Sequence, residues 1–314
     1  MNPPIRMTYH LKLKPTPTTI ACSSRKKSLI RSKTIDYLCI GHLTEDITPE
    51  GIQLGGSATY STLTAKAFHM HCGLVTSYLS TELPPLFSNI ETSIQTTNSM
   101  LQFENRYENN QRFQFVRQET PPLQLTTLPK EFYQAQITHF GPVLNDFDPA
   151  DISSFKDTFI GITPQGWLRE NVNGKVHKTS WEKIAPILTS ADAVILSQED
   201  IEYNQQTIVS MRNLCRLLIV TEGYHGAKIY QDGNEYHLHA PEKKEVDPTG
   251  AGDIFSTAFF ILYQRGFPLL LAGKIATEIA SLSVTRKGLE GIPTAEEIIK
   301  IIHLQKHNES RKDG

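Results

Sequence analysis

The sequence predicts a three-layer α/β fold, a mostly parallel central sheet with helices on both faces, and three observations carry the prediction. Short apolar runs recur along the chain and read as buried strands. Stretches of helical character separate them, which is the alternation of βαβ units. The 314 residues are 39% hydrophobic and 20% charged, a balance that can bury a sizeable core.

Residues 1–33 stand outside this pattern. They carry Arg6, Lys12, Lys14, Arg25, Lys26, Lys27, Arg31 and Lys33 and no acidic residue. Such a segment has too little apolar surface to order itself and reads as a disordered basic tail. An organellar transit peptide is the alternative, since those too are basic and acid-poor. The remainder, 34–306, reads as one domain, followed by a polar tail over 307–314.

The run Ile35 to Gly41 is the first strand, and Ala58 to Met70 a helix entered through Leu54-Gly55-Gly56-Ser57. Further strands are expected at Gly73 to Ser77, Ile137 to Phe140, Phe159 to Thr163, Ala193 to Leu196 and Leu217 to Thr221. Helices are expected over 149–157, 182–190 and 199–214, then 251–265, 269–285 and 294–303. Leu101 to Tyr107 and Phe113 to Val116 break the alternation. Their period of two across Asn109-Asn110 signals an antiparallel hairpin with Phe103, Tyr107, Phe113 and Phe115 on one apolar face. With 42–54 this hairpin, 101–118, forms a small β lid over the strand ends. The other use of those aromatics is a homodimer interface.

Composition excludes several classes. A formal net charge of −2 offers nothing to nucleic acid or an anionic membrane, and no apolar run reaches membrane-spanning length. Cys22, Cys39, Cys72 and Cys215 make neither a CxxC pair nor a disulfide framework, so a cytoplasmic location is expected. The histidines at 69, 71, 237 and 239 read as surface rather than metal ligands.

The chemistry centres on Val246-Asp247-Pro248-Thr249-Gly250-Ala251-Gly252-Asp253. Small residues at the start of a helix let amides approach an anion, and the helix N-terminus carries about half a positive charge. Gly250, Ala251 and Gly252 thus form an anion hole. Asp253 lies in the first turn, where the dipole favours the ionised carboxylate that a general base requires. The plainer alternative is a capping aspartate beside a glycine turn.

This run resembles the D-x-T-G-A-G-D signature of the ribokinase-like (PfkB) carbohydrate kinases. The resemblance implies a ribokinase-like fold, ATP and Mg²⁺ as cofactors, and a sugar or polyol as the small-molecule partner. It implies that Asp253 deprotonates the acceptor hydroxyl, and that a monovalent cation such as K⁺ sits beside Asp247 and Thr249. Thr221, Gly223 and Gly226 resemble the family's nucleotide-binding turn. Gly55 and Gly56 resemble its N-terminal glycine pair, with Asp46 as a substrate-hydroxyl ligand. Two departures follow. Tyr60 stands where relatives place a sugar-contacting Asn, and Ser197-Gln198-Glu199-Asp200 replaces N-x-x-E, leaving Glu199 and Asp200 to organise Mg²⁺. Tyr60 with Pro164 to Arg169 is similar to the myo-inositol kinase branch, where Gln165 and Arg169 would bind a polyhydroxyl substrate. A catalytically silent binding relative is the alternative function.

Overall fold

The computed structural model describes residues 34–108 and 111–310. The expectations for residues 1–33, for the Asn109-Asn110 connection and for 311–314 fall outside the described residues. In chain order the elements are β1 (Tyr37–Ile40), β2 (Thr44–Thr48), β3 (Gly51–Gly55), α1 (Ser57–Ala67), β4 (Cys72–Tyr78), β5 (Glu91–Thr96), β6 (Leu101–Glu108) and β7 (Gln111–Gln118). There follow β8 (Ile137–Phe140), β9 (Phe159–Ile162), β10 (Arg169–Val172), β11 (Lys175–Lys178), α2 (Ala185–Leu188) and β12 (Ala193–Ser197). The rest is α3 (Gln205–Arg212), β13 (Leu217–Thr221), β14 (Ala227–Gln231), β15 (Asn234–Leu238), α4 (Ala251–Gln264), α5 (Leu269–Ser283) and α6 (Ala295–Ser310).

Nine strands form the main sheet in the order β15-β14-β13-β12-β9-β8-β1-β4-β5. Its pairs are parallel except β13–β14 and β14–β15. Apart from the polar, half-exposed edge strand β5, the parallel strands are buried on both faces, which is why they read as continuous apolar runs. Tyr37, Cys39 and Ile137 face a core shared with α1, α4 and α5, while Leu38, Ile40 and Phe140 face a second core with Trp167, Leu188 and Met211. Each fully buried large side chain there contributes about 1.5–3 kcal/mol. Phe260 of α4 lies so close to the sheet that a Cβ at Gly161 would meet its ring at 2.6 Å. Among the described residues no helix is long and apolar enough to cross a membrane.

A second sheet of six strands, β10-β11-β7-β6-β2-β3, stands apart from the first. It joins the 44–55 and 101–118 segments, and β10 and β11 extend it. Its pairs are antiparallel apart from β2–β6. The expected single apolar face is corrected here. The tight connection pairs Glu108 with Gln111, so Phe103 sits opposite Val116 and Glu104 opposite Phe115. Odd-numbered residues of β6 therefore share a face with even-numbered residues of β7. Phe103 and Val116 pack with Leu101 and Val143 against the body. Phe113 and Phe115 lie on the other face, under Lys175 at 4.6 Å and Arg117 at 4.9 Å.

Several helices are shorter than the sequence suggests. Pro149–Ser154 is a 3₁₀ turn capped by Asp148, and a second 3₁₀ turn precedes the single turn of α2. The expected helix 199–214 splits where Glu202 and Tyr203 adopt φ of 51° and 58°, and Asn204 then caps α3. At the C-terminus the tail assigned to 307–314 is corrected, because α6 continues through Ser310.

Candidate active site

The D-x-T-G-A-G-D run lies at the start of α4. Asp247 accepts the Thr249 N–H at 2.9 Å on Oδ1 and the Gly288 N–H at 2.8 Å on Oδ2. Burial acts to raise its pKa, but these bonds and nearby Lys287 outweigh it and hold the carboxyl below its usual range. Asp247 thus clamps the turn on which Pro248 and Thr249 stand exposed. Gly250 is the N-cap, in the left-handed region at φ 77°, and no side chain caps the helix. A Cβ on Gly250 would lie 2.2 Å from the Tyr60 ring. Tyr60, 3% exposed, therefore lies flat against the loop. Gly252 faces open space. The Ala251 N–H donates to the Pro248 carbonyl at 3.2 Å, while no side chain caps Gly250 or Gly252, and such amides beside open space are what an anion needs.

Asp253 is half-buried in that first turn. Burial pushes its carboxyl up to about 6, against a hydrogen bond from Ser57; the charge of Asp200 raises it further and Arg169 lowers it. The sequence argument had the dipole favouring the ionised form. Here desolvation outweighs the dipole, yet a pKa near 6 still leaves the carboxylate mostly ionised at neutral pH and basic enough to take a proton.

Around this base the fold gathers residues from distant segments. Asp46 on β2 abuts Gly55: a Cβ there would meet its Oδ2 at 2.2 Å. Gly56 is the N-cap of α1. The charges of Asp46, Asp247 and Asp253 all bear on the Tyr60 phenol, which they and, foremost, burial push well above its usual range. Two residues the motifs did not mark belong to the site. Ser57 bonds Asp253, and Thr44 lies beside Asp46 with its hydroxyl buried and unpaired among the described residues. Thr44 was findable, because i and i+2 share a face of a strand. Ser57 was not, since only tertiary packing of α1 against α4 brings it there.

Gln165, Arg169, Glu199 and Asp200 lie close to one another in an arrangement different from the expected one. Asp200 is 6% exposed and completes a capping box, its Oδ2 accepting the Ser197 N–H at 3.0 Å. Its Oδ1 accepts from Gln165 Nε2 at 3.0 Å and faces Arg169 at 3.6 Å and Lys178 at 3.7 Å. Arg169 also donates to Gln114 Oε1 of the second sheet at 3.1 Å. Gln165 and Arg169 are thus engaged with the protein rather than presented bare to a substrate. Glu199 is exposed, and its carbonyl accepts from Lys178. Among the described residues no group of three His, Cys, Asp or Glu side chains could hold a metal ion.

The Thr221 to Gly226 turn ends β13. Gly223 (φ 58°) borders open space, while Gly226 passes so close to β15 that a Cβ would strike the Leu238 carbonyl. Glu222, just before Gly223, is bound by Lys228 at 3.0 Å, His237 at 3.3 Å and the Gln198 amide.

The Asp247 to Asp253 turn lies at the start of α4, and the model of the pfkB family carbohydrate kinases matches residues 178–295, which include it. Over those residues the chain is similar to the pfkB family carbohydrate kinases. A nucleoside kinase of Methanocaldococcus jannaschii is 35% identical over 92 residues, 29% of this chain and 30% of that enzyme. The inositol 3-kinase of Zea mays is 39% identical over 72 residues, 23% of this chain and 19% of that enzyme. The aligned stretch thus spans less than a third of either curated relative. The fold extends further. A pyrophosphate-dependent kinase in the ribokinase family, solved with a pyrophosphate analog and myo-inositol, superposes with a TM-score of 0.72 at 19% identity, covering 84% of this chain and 99% of that one. The chain therefore has the ribokinase-like fold.

Proposed function

We propose that the protein transfers the γ-phosphoryl group of ATP to a hydroxyl of a polyol of the myo-inositol type, with Asp253 as general base. The observation that carries this is the pairing of a carboxyl whose pKa is about 6 with uncapped helix amides one residue away. Asp253 accepts the acceptor's proton as the hydroxyl attacks. The amides of Gly250 and Gly252 receive the charge that develops on the phosphoryl oxygens, and that of Ala251 joins them when it releases the Pro248 carbonyl. Asp46 and Thr44 hold neighbouring hydroxyls, and Tyr60 gives the pocket an aromatic wall in place of a sugar-contacting amide.

For the donor, the residues that would hold a nucleotide are Thr221, Gly223 and Gly226, with Gly223 bordering open space. Bound ATP with Mg²⁺ supplies the phosphoryl group and neutralises phosphate charge. Glu199 is the exposed acid nearest to that role, while Asp200 is already faced by two cations. Mg²⁺ held mainly by phosphates and water suits such a sparse protein contribution. Each Asp247 oxygen accepts a backbone amide, so Asp247 acts here as a turn clamp and no step is assigned to K⁺. A second reading replaces ATP with pyrophosphate, favoured by the pyrophosphate-dependent kinase among the structural neighbours. The second sheet serves as a lid, tied to the site through Gln114, Arg169 and Asp200; its outer aromatics are the surface a homodimer would use.

The test is a matrix of ATP and pyrophosphate against inositol, ribose, fructose derivatives and nucleosides. Phosphorylated inositol formed with ATP supports the reading. Turnover only with pyrophosphate replaces the donor. Binding of a polyol with no transfer from either donor would establish the silent relative instead.

A further inference from the structure

Behind the site runs a chain of buried side chains that no motif marks. The Tyr37 hydroxyl lies 2.7 Å from His139 Nδ1 and 3.0 Å from Thr257 Oγ1, and His139 Nε2 lies 2.9 Å from Thr163 Oγ1. Tyr37, His139 and Thr257 are fully buried and Thr163 is 8% exposed. Thr257 stands one turn beyond Asp253 on α4, and Thr163 directly follows β9. All four lie on the α4 side of the sheet, with the His139 ring edge-on to Phe260.

The far end of this chain reaches the base. A Cβ placed on Gly141 would sit 3.3 Å from Ser57 Cβ, 3.4 Å from Thr163 Oγ1 and 3.6 Å from His139 Nε2. Those groups surround a single notch, and Ser57 is the residue bonded to Asp253. The chain thus begins on the helix that carries Asp253 and ends beside Ser57, which acts on that carboxyl.

Proton counting gives it a direction. Burial pushes His139 down to about 3, so the ring is neutral and holds one proton for two hydrogen bonds. A phenol is a far better donor than an aliphatic hydroxyl, so Tyr37 donates to Nδ1 and accepts from Thr257. Nε2–H then donates to Thr163, whose own proton is left to point onward. Among the described residues no second hydrogen bond is found at Thr163 Oγ1.

We infer that Tyr37 and His139 are positioning residues that fix the Thr163 hydroxyl as a donor to an anionic oxygen of the transferring phosphoryl group beside Asp253. This rests on the phosphotransfer reading above. Without the phenol, the ring proton can move to Nδ1 and Thr163 can turn its proton back to Nε2, so the outward donor is lost.

The experiment is steady-state kinetics on the full chain for wild type, Thr163→Val, Tyr37→Phe and the double variant. Thr163→Val should lower kcat about tenfold or more, as loss of one charge-stabilising donor does. Tyr37→Phe should lower kcat about fivefold with the acceptor KM within twofold, the worth of one hydrogen bond. The double variant should match Thr163→Val, because Tyr37 acts only through that hydroxyl. Multiplying effects in the double variant, or a Tyr37→Phe enzyme that loses thermal stability but no kcat, would overturn the inference. Should Tyr37→Phe fail to fold, imidazole ¹⁵N shifts in the wild type decide. A neutral ring protonated on Nε2 that shifts on Thr163→Val supports it, and one protonated on Nδ1 overturns it. A wild type inert with every donor and acceptor fails the phosphotransfer reading instead, and the ¹⁵N tautomer then judges the hydrogen-bond chain by itself.

Discussion

Asp200 and Asp253 each stand in the first turn of a helical segment, a short distance apart, and the protein treats them in opposite ways. Asp200 caps its own turn and faces Gln165, Arg169 and Lys178, so every side of the carboxylate is answered. Asp253 caps nothing, leaves the amides of its helix uncapped, and has one hydroxyl partner, Ser57, against the burial that raises it. A satisfied carboxylate is a structural anchor; an underserved one is poised to take a proton. The two are also coupled, because the charge of Asp200 raises Asp253 and that of Arg169 lowers it.

The largest expected effect breaks the contrast outright. Asp253→Asn should lower kcat by about 10³-fold while nucleotide affinity stays within a few-fold, since the amide keeps the shape and cannot accept the proton. The same variant should be more stable than wild type at pH 8. The folded pKa is raised, so the protein gains from this residue below pH 4 and loses that gain as pH rises through about 6. The difference, at most about 3 kcal/mol, should vanish at pH 4 in thermal melts. Near-native turnover would remove Asp253 from the base role.

Next in size is Gly250→Ala, which tests whether the uncapped amides matter. It sets a Cβ against the Tyr60 ring in a left-handed conformation. A loss of about 2–3 kcal/mol and at least tenfold in kcat is expected. Adding Tyr60→Ala should recover part of the stability and little of the rate. Full kinetic recovery would mean that shape alone, rather than amide placement, was disturbed.

Asp200→Asn sharpens the coupling. Leaving Arg169 and Lys178 without their carboxylate should cost about 3 kcal/mol in denaturant melts. Removing the negative charge should also lower the Asp253 pKa, moving the acidic limb of the kcat/KM profile to lower pH. An unmoved limb would mean that the two carboxyls do not sense each other. The smallest effect belongs to Gln114→Ala, which cuts one bond between the lid and Arg169. About 1 kcal/mol is expected, read as faster hydrogen exchange in β7 that acceptor still slows. Exchange indifferent to acceptor would remove the lid role.

What could be read from the sequence was what is local in it. The parallel strands other than β5 showed as apolar runs because both their faces are buried, whereas the polar edge strand β5 went unread; the Asp247 to Asp253 run showed because its residues are consecutive. Two hairpins were equally local and went unread. Asn173-Gly174 and Asp232-Gly233 both have the positive φ pairs of tight hairpin turns and join β10 to β11 and β14 to β15. The lid face was misassigned because alternation fixes each strand's faces but not which faces coincide across a turn. Ser57, His139, Tyr37 and Thr163 could not be assembled from spacing at all, since they come from four separate elements that meet only in the folded core.

The way the second sheet is strung into the chain has a mechanical consequence. Between β1 and β2 lie Gly41, His42 and Leu43, and between β3 and α1 lies Gly56 alone. His42 is anchored through its N–H to Asp146, and Leu43 through its N–H to Thr76. The entry to the second sheet is therefore fastened to the body, and its exit has a single-residue pivot. Gly56 alone separates β3 from Ser57, and Ser57 lowers the Asp253 carboxyl against the burial that raises it. The strand pair that enters the second sheet and the helix that carries Ser57 are thus joined through one peptide unit.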